Sequence, residues 1–363
     1  MNPGASPYAS NRPQKATGRD HIALEMHTTL LLARKPEGVQ GRSQLLVGLR
    51  GVGKSTLLRM FGDDAQELGM VHEHVELSED DVLRARLQRA FAMTLMQAAA
   101  RRGRVVSADQ VHAELAAGDL TDLFDRAGRL AHADDSSIFL TVDHLHLASP
   151  AEFGSLMAAA YAAKGRHLPV RLAGAALGSL PHPTRTTREM IRALFSVQTL
   201  GPLARAEADQ ALAQPAEGQG VRWEPEALDL AWEATDGYPL FVQQVGSACW
   251  AVADGPTTIS AADVRRALPI STARLDDAFF APTVRRLPEG ELRYLGALLE
   301  LGPGPVRSSD VARRLGRTQQ QLAPVREALR RRALCHAPAW GDIECTVPHL
   351  DRYLRRAGTH ETG

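Results

Sequence analysis

The fold is decided by the stretch Leu45-Leu46-Val47-Gly48-Leu49-Arg50-Gly51-Val52-Gly53-Lys54-Ser55-Thr56-Leu57-Leu58. It begins as a short apolar run, passes through three closely spaced glycines, and continues into residues with helical spacing. This order predicts a strand, a glycine-rich loop and a helix. Such units build parallel sheets, because the crossover helices cover the faces of the sheet. The stretch therefore predicts an α/β fold.

The glycine-rich loop fits the pattern G-x-x-x-x-G-K-[ST] from Gly48 to Ser55. Glycines let the backbone turn its N–H groups around a polyphosphate, and the following helix directs its positive end at the same anion. In this pattern the lysine reaches the β- and γ-phosphates and the hydroxyl binds Mg²⁺. The alternative is an incidental glycine-rich turn. The predicted nucleotide-binding residues are Gly48, Arg50, Gly51, Val52, Gly53, Lys54, Ser55 and Thr56.

An acidic residue outside the loop is also expected in any such protein, because Mg²⁺ is held as well by a carboxylate at the end of a core strand. Residues 138–142 form a continuous apolar and β-branched run, which is typical of a strand buried on both faces, and Asp143 follows it. We therefore predict Ser55 and Asp143 as the Mg²⁺ residues. A role for Asp143 as a turn or helix-cap residue is the alternative.

Further strands are predicted at residues 71–77, 168–173 and 196–200, with helical spacing over 81–132 and 151–163. Beyond residue 204 the strand signals stop, and Pro and Gly mark breaks between helices. A chain of 363 residues is long enough for two or three domains. The expected organisation is a flexible tail at 1–17, a nucleotide-binding core at 18–203, a helical lid at 204–275 and a third domain at 276–358.

The third domain carries a helix-turn-helix pattern. Ser308 or Ser309 can cap one helix, Gly316 can form the turn, and Thr318 can cap a second helix. Pro324 should kink or shorten that second helix, because proline lacks the N–H of a helix interior. Residues 333–347 read as two strands around a turn, which predicts a wing.

The third domain is also locally basic. The whole chain is neutral, with 42 basic and 42 acidic residues, which argues against a chain-wide surface for nucleic acid. Within residues 306–332, however, eight arginines face only Asp310 and Glu327, so the local charge is +6. One interpretation is contact with double-stranded DNA, and the other is a protein-binding winged helix with solvated arginines. The predicted DNA-binding residues are Arg313, Arg314, Arg317, Gln319, Gln320 and Arg326.

The remaining composition argues against secretion and membrane insertion. The first 17 residues lack the apolar centre of a signal peptide, and no run of about 18 apolar residues occurs. Cys249, Cys335 and Cys345 are odd in number and lack metal-ligand spacing, which favours a reducing compartment. Cys335 and Cys345 either face each other across a hairpin or act as small buried apolar residues. We expect a cytoplasmic protein.

Several motifs resemble those of AAA+ ATPases of the origin-recognition type and the related STAND signalling ATPases, above all bacterial members that end in a winged helix. They are Gly18-Arg19-Asp20, the loop from Gly48 to Ser55, Leu140 to Asp143, Leu200-Gly201-Pro202-Leu203 and Gly237-Tyr238-Pro239-Leu240. The resemblance implies a P-loop parallel-sheet core, an all-helical lid and a winged-helix domain. It also implies ATP as the nucleotide, with Arg19 near its base and Pro239 against it.

Two departures from this family concern hydrolysis. Hydrolytic members usually follow the strand-end aspartate with a glutamate, and this chain has His144. An imidazole can accept a proton near neutral pH, but His144 can equally pack or bond to backbone. The strand that ends near Ala173 should also present a polar residue near the γ-phosphate, but Gly174-Ala175-Ala176 offers no such side chain. We therefore expect weak or slow hydrolysis. Arg192 is a candidate catalytic arginine or part of a solvated helix face.

The sequence thus predicts an ATP-binding switch that couples nucleotide state to a DNA-binding winged helix. The alternative is a STAND-like signalling ATPase whose winged helix mediates protein contacts. An active motor would require His144 or another acid to do the work of the glutamate. The expected partners are ATP, double-stranded DNA and either a protein partner or further copies of the chain assembled on ATP.

Overall fold

The structure of the chain is a computed structural model that describes residues 6–8, 17–33, 41–178, 180–181, 183–255, 257–302 and 304–358. It divides into two compact units. The core unit consists of residues 19–48 and 54–200, and the C-terminal unit consists of residues 1–18, 49–53 and 201–363. Among the described residues, no helix has both the length and the hydropathy needed to cross a bilayer.

The core unit is a parallel sheet of five strands in the order β2-β3-β4-β1-β5, with helices before and between the strands. Its elements are α1 (Asp20–Ala33), β1 (Ser43–Gly48), α2 (Lys54–Glu67), β2 (Val71–Glu76), α3 (Leu83–Arg101), α4 (Ala108–Ala116), α5 (Leu120–Ala133), β3 (Ile138–Asp143), α6 (Pro150–Gly165), β4 (Val170–Leu177), α7 (Arg185–Leu194) and β5 (Phe195–Leu200). Every residue of β1 and β3 is buried, as their continuous apolar runs predict. The predicted α/β fold with a parallel sheet is confirmed.

The fourth strand differs from its prediction. It continues to Leu177 instead of ending near Ala173, and Gly174 pairs with Leu45 of β1. A Cβ atom at Gly174 would collide with the side chain of Leu145 and lie 3.0 Å from that of Leu45. Small residues are therefore required inside this strand by packing. The interpretation of residues 174–176 as the position facing the γ-phosphate is wrong.

The C-terminal unit is mostly helical and contains two hydrophobic cores, one within residues 203–267 and one within 241–354, apart from Tyr8. Its elements are α8 (Arg205–Glu217), β6 (Arg222–Trp223), α9 (Pro225–Thr235), α10 (Pro239–Val252), β7 (Thr258–Ile259), α11 (Ala261–Leu275), a π-helical turn (Asp276–Phe280), α12 (Ala281–Val284), α13 (Glu289–Glu300), β8 (Val306–Arg307), α14 (Ser308–Arg314), α15 (Gln319–Arg331), β9 (Cys335–His336), β10 (Asp342–Cys345) and α16 (Leu350–Arg356). The expected absence of strands between 204 and 270 is wrong only for β6 and β7, which form a two-residue parallel pair. The boundary at residue 276 stays a prediction.

The ends of α14 and α15 follow local rules to different degrees. Thr318 caps α15, accepting the N–H of Gln321 while the Gln321 side chain accepts that of Thr318. Neither serine caps α14, because Arg307 occupies the cap position and Ser308 is already helical and buried. Gly316 forms the connecting turn with φ of 62°. Helix α15 continues through Pro324 to Arg331, so the proline does not shorten it.

The last three strands form an antiparallel sheet in the order β8-β10-β9. In its register Cys345 lies opposite Cys335, and both are free thiols. Burial raises the pKa of the Cys335 thiol well above its ordinary value, so this cysteine serves as a small buried residue.

Tyr8 belongs to the core of the C-terminal unit, although the sequence predicts a flexible tail there. Its side chain is 1% exposed, its hydroxyl donates to the Leu212 carbonyl at 2.5 Å, and it accepts the Trp223 indole N–H at 2.9 Å. The ring lies against Gly246, where a Cβ atom would approach it to 2.8 Å. Burial raises the pKa of the phenol. Residues 1–5 and 9–16 of the predicted tail lie outside the described residues.

We expect substitutions of Tyr8 to destabilise the C-terminal unit. Tyr8→Phe leaves the Leu212 carbonyl and the Trp223 N–H without a partner, which costs about 1–3 kcal/mol of unfolding free energy. Tyr8→Ala also opens a cavity and should cost about 3–5 kcal/mol. Denaturant unfolding measures both, with Tyr161→Ala on the exposed face of α6 as the control, expected to change stability by less than about 0.5 kcal/mol. Unchanged stability of Tyr8→Ala would show that this segment contributes nothing to the fold.

Candidate functional site

The glycine loop has the backbone conformation that an anion site requires. Gly51 and Gly53 have φ of 78° and 94°, a region that favours glycine, and α2 begins directly afterwards at Lys54. Successive N–H groups of such a loop converge with the positive end of the helix on one point. The position of the loop between β1 and α2 is the one predicted from the sequence.

Lys54 is the first residue of α2, and its side chain bonds back to the start of the glycine loop. Its side chain is buried, with the residue 9% exposed, and Nζ donates to the Gly48 carbonyl at 2.8 Å. The ammonium group is thus held close to the N–H groups at the start of α2. A cation in this position is suited to the β- and γ-oxygens of a nucleoside triphosphate.

Asp143 is the last residue of β3 and is 3% exposed. Its carboxylate accepts the Ser55 hydroxyl at 2.5 Å and the N–H of His144 at 2.7 Å. Strand β4 lies between β1 and β3, so the carboxylate reaches the start of α2 across one strand. The structure brings together the two predicted Mg²⁺ residues.

The donor set fits Mg²⁺. A hydroxyl and a carboxylate are both hard oxygen ligands, and Mg²⁺ takes most of its remaining ligands from water and phosphate. Within the described part of the chain, no group of three or more His, Cys, Asp or Glu side chains could hold a metal ion by itself. This arrangement suits an ion that arrives with a nucleotide.

His144 has an unusual backbone conformation, with φ of 59°. Its Nδ1 atom lies 3.3 Å from the Leu77 carbonyl and 3.7 Å from a carboxylate oxygen of Glu76. Nδ1 faces two acceptors, so this nitrogen is the one expected to carry the proton in the neutral ring. Nearby, the Nδ1 atom of His146 accepts the N–H of Leu177, which links this turn to the end of β4.

Sequence reasoning missed a polar group between β2 and β3, in which Thr141 is buried, His72 half-buried and His74 exposed. His72 and His74 each place a ring nitrogen within 2.9 Å of the Thr141 hydroxyl. Burial lowers the pKa of His72 to about 4 and also lowers that of His74. Both rings are therefore neutral near pH 7. The available signal was Thr141 itself, the one hydroxyl in the apolar run of β3.

Residues 49–53 of the loop belong to the C-terminal unit. Within that unit, the N–H of Arg50 donates to the Thr346 carbonyl at 3.2 Å, and the Gly51 carbonyl accepts the N–H of Leu240 at 3.1 Å. Burial lowers the pKa of the Arg50 guanidinium. Pro239 is the first residue of α10, directly before Leu240.

The other predicted site residues are exposed or half-buried. Arg19 is half-buried, and its carbonyl accepts the N–H of Ile22 at the start of α1. Arg192 is exposed on α7. On α15, Gln319 and Gln320 are exposed and Arg326 is half-buried, while Arg317 is exposed in the turn before the helix.

Two of the predicted DNA-binding arginines have carboxylate partners. Arg313 pairs with Asp310 at 3.0 Å, and Arg314 pairs with Glu300 of α13. In the same domain Arg332 pairs with Glu291 and Arg307 with Asp342. Glu291, Glu300 and Asp342 lie outside residues 306–332, so including them lowers the local charge from +6 to +3.

The effect of Asp143 on metal binding is testable with a shape-preserving change. Asp143→Asn keeps an oxygen for the Ser55 hydroxyl but removes the negative charge that attracts Mg²⁺. We expect the affinity for ATP with Mg²⁺ to fall by about 10–100-fold, the range found when metal-supporting residues are removed. The affinity measured with EDTA should stay unchanged. Titration of a fluorescent ATP analogue measures both.

Asp135→Asn is the matched control, because Asp135 is an exposed surface residue paired with Arg102. It should leave both affinities at the wild-type value. Equal loss of affinity with and without Mg²⁺ in Asp143→Asn would contradict a metal role.

Comparison with known proteins gives two family matches. The AAA ATPase domain matches residues 18–204, and a domain of unknown function matches residues 277–354. No curated protein matches the chain.

Solved structures with a similar fold cover nearly the whole chain. A Walker-type ATPase of Pyrococcus abyssi is similar with a TM-score of 0.63 and 14% identity, over 96% of this chain and 99% of that one. A RuvB variant of Thermotoga maritima is similar with a TM-score of 0.50 and 16% identity, over 98% and 99% of the two chains. At these identities the likeness establishes the fold.

Proposed function

Since the chain belongs to the AAA ATPase domain family, we propose that it is an ATP-binding switch with weak or slow hydrolysis. The switch couples the nucleotide state of the loop at residues 48–56 to a C-terminal winged helix that binds double-stranded DNA. ATP and Mg²⁺ are the ligands, with Lys54, Ser55 and Asp143 as the principal contacts.

One observation carries this proposal: residues 49–53 of the phosphate-binding loop belong to the C-terminal unit, where they bond to Thr346 and Leu240. Lys54 and Ser55 lie in the core unit with Asp143, whereas residues 49–53 lie in the C-terminal unit. A nucleotide that binds this loop favours one conformation of residues 49–53 over others. A ligand shifts an equilibrium only by such a difference in affinity between two states.

A short hydrogen-bonded route leads from the loop to α15. The Arg50 N–H donates to the Thr346 carbonyl, and the N–H of Thr346 donates to the Leu334 carbonyl at 2.9 Å. The Thr346 hydroxyl donates to the Ala333 carbonyl at 2.5 Å. Ala333 and Leu334 come just after α15 ends at Arg331. A movement of the loop is therefore expected to reach the helix that carries Gln319 and Gln320.

The arrangement of the last 80 or so residues supports a winged helix. Helix α14, the turn at Gly316 and helix α15 follow one another directly, and the sheet β8-β10-β9 adjoins them. In helix-turn-helix proteins, the N-terminal residues of the second helix contact base edges. Arg317, Gln319 and Gln320 are exposed at that position, while Gln321 is engaged in the helix cap.

A second function is favoured by the pairing of the arginines. With three of them neutralised by Glu291, Glu300 and Asp342, the basic surface is weaker than its sequence indicates. A STAND-like signalling ATPase would use the same domain for protein contacts. The exposed side chain of Arg192 would be accessible to another copy in an assembly formed on ATP.

Reciprocal binding tests the coupling. We expect saturating ATP with Mg²⁺ to change the affinity of the protein for duplex DNA by at least about fivefold, the lower end of typical allosteric coupling. DNA must then change the ATP affinity by the same factor, because linkage is reciprocal. Fluorescence polarisation with labelled duplex and labelled nucleotide measures both constants at one fixed salt concentration.

The control for this experiment is Lys54→Ala, whose DNA affinity should not respond to ATP. Wild-type DNA affinity that is the same with and without bound ATP would rule out the switch. Absence of any salt-sensitive DNA binding, with ATP still bound, would favour the signalling alternative.

We expect that one substitution can raise the slow rate of ATP hydrolysis. His144→Glu places a carboxylate beside Asp143, where hydrolytic AAA+ proteins have one, and a positioned general base contributes about 10²–10⁴-fold to rates. We expect steady-state ATP turnover to rise at least about tenfold. His167→Glu is the matched control, because His167 is an exposed histidine with a similar φ of 55°. Turnover of His144→Glu at the level of Lys54→Ala would show that the missing glutamate is not what limits the rate.

A further inference from the structure

The turn between β9 and β10 presents a single aromatic side chain to solvent. Trp340 is 96% exposed, whereas Trp223 and Trp250 are buried. Covering an exposed indole with a partner lowers the free energy, so this ring can contribute to binding. A residue of this kind at the tip of a hairpin is placed to contact another molecule.

The backbone beneath Trp340 is held in place. The N–H of Asp342 donates to the Ala339 carbonyl at 3.1 Å, and Gly341 has φ of 85°, which together describe a type II turn with glycine at its third position. The Trp340 carbonyl accepts from the Arg307 guanidinium at 3.2 Å, and the Gly341 carbonyl accepts the N–H of Ser308 at 2.9 Å. The indole therefore projects from a fixed support, which lowers the entropy lost on binding.

The surroundings of Trp340 favour a nucleobase over a protein surface. Protein interfaces bury a contiguous apolar patch with aromatic anchors at its centre. Within the described residues of 277–358, the large apolar side chains that are exposed are Leu301 and Trp340 alone, at 38% and 96%. Arg307 of β8 lies beside the turn and is paired with Asp342, so its charge is already countered. An isolated, exposed planar ring is the arrangement that stacks on a base, which also presents a flat face.

We propose that Trp340 is a base-stacking residue that gives the C-terminal domain a preference for DNA with an unpaired base next to a duplex. This inference rests on the proposed DNA binding and adds the class of DNA that is preferred. An indole binds a base through its flat face, and inside an intact duplex those faces are covered by neighbouring pairs. An unpaired base at the end of a duplex offers a free face, while α15 contacts the paired part.

Two DNA probes test this inference. One is a blunt duplex, and the other is the same duplex extended by a short single-stranded tail. Wild-type protein should bind the tailed probe about tenfold more tightly, since one base stacked on an aromatic ring commonly contributes a factor of that order. Trp340→Ala should lose this advantage and retain its affinity for the blunt duplex. Trp340→Phe should keep most of the advantage.

Salt dependence separates stacking from charge. Trp340→Ala should leave the slope of log affinity against log salt unchanged, because an indole releases no counterions. Arg317→Ala is the matched control, expected to weaken both probes equally and to reduce the slope. Since Trp340 is exposed, thermal unfolding of Trp340→Ala should match that of wild type.

Three outcomes would overturn the inference. Equal wild-type affinity for the two probes, or a tail advantage that survives in Trp340→Ala, would rule out stacking and leave duplex binding intact. Equal weakening of both probes by Trp340→Ala would replace stacking with a groove contact. Failure of wild type to bind either probe would overturn the DNA part of the proposed function as well.

Discussion

The hydrogen bond from the Ser55 hydroxyl to the Asp143 carboxylate is the contact on which the candidate site depends. It joins the start of α2 to the end of β3 at 2.5 Å, although β4 separates β3 from β1. This is possible because β1 and β3 run in the same direction, so that their carboxyl ends lie at one edge of the sheet. Gly174 serves the same requirement, because a larger residue in β4 would displace Leu145 just after Asp143. The packing of the sheet therefore sets the relative position of Ser55 and Asp143.

The candidate site can be identified from the sequence because its determinants are local. The spacing of Gly48, Gly53 and Lys54 defines the loop, and a buried run that ends in Asp143 identifies the strand. The role of Gly174 was not predictable, since it depends on the position of Leu145. Tyr8 bonds to a carbonyl 204 residues away, and no local pattern reports such a contact. The local charge predicted from the sequence includes only the acids that are near in sequence, whereas Arg314 of α14 pairs with Glu300 of α13.

Thr141, two residues before Asp143, belongs to a polar group that carries no charge near pH 7. His72 and His74 share the hydroxyl of Thr141, which has one proton to donate and so requires one ring to accept it and the other to donate. Burial lowers the pKa of both rings, so the group is neutral near pH 7. A protonated imidazole here would compete with Mg²⁺ for the field of Asp143. A neutral group supports the strand pair and leaves the Asp143 carboxylate available for the proposed metal ion.

A switch needs a rigid connection between the ligand site and the element that responds, because a flexible connection would absorb the movement. Thr346 provides such a connection. It is buried, and its N–H and hydroxyl are fixed by Leu334 and Ala333 while its carbonyl accepts from Arg50. The second contact, between Gly51 and the start of α10, connects the same loop to that helix. A loop bonded to two different elements cannot change its conformation without changing their relation to it. For this reason the proposed switch does not depend on fast hydrolysis, because binding alone supplies the difference in free energy between the two states and release of the nucleotide restores the other state.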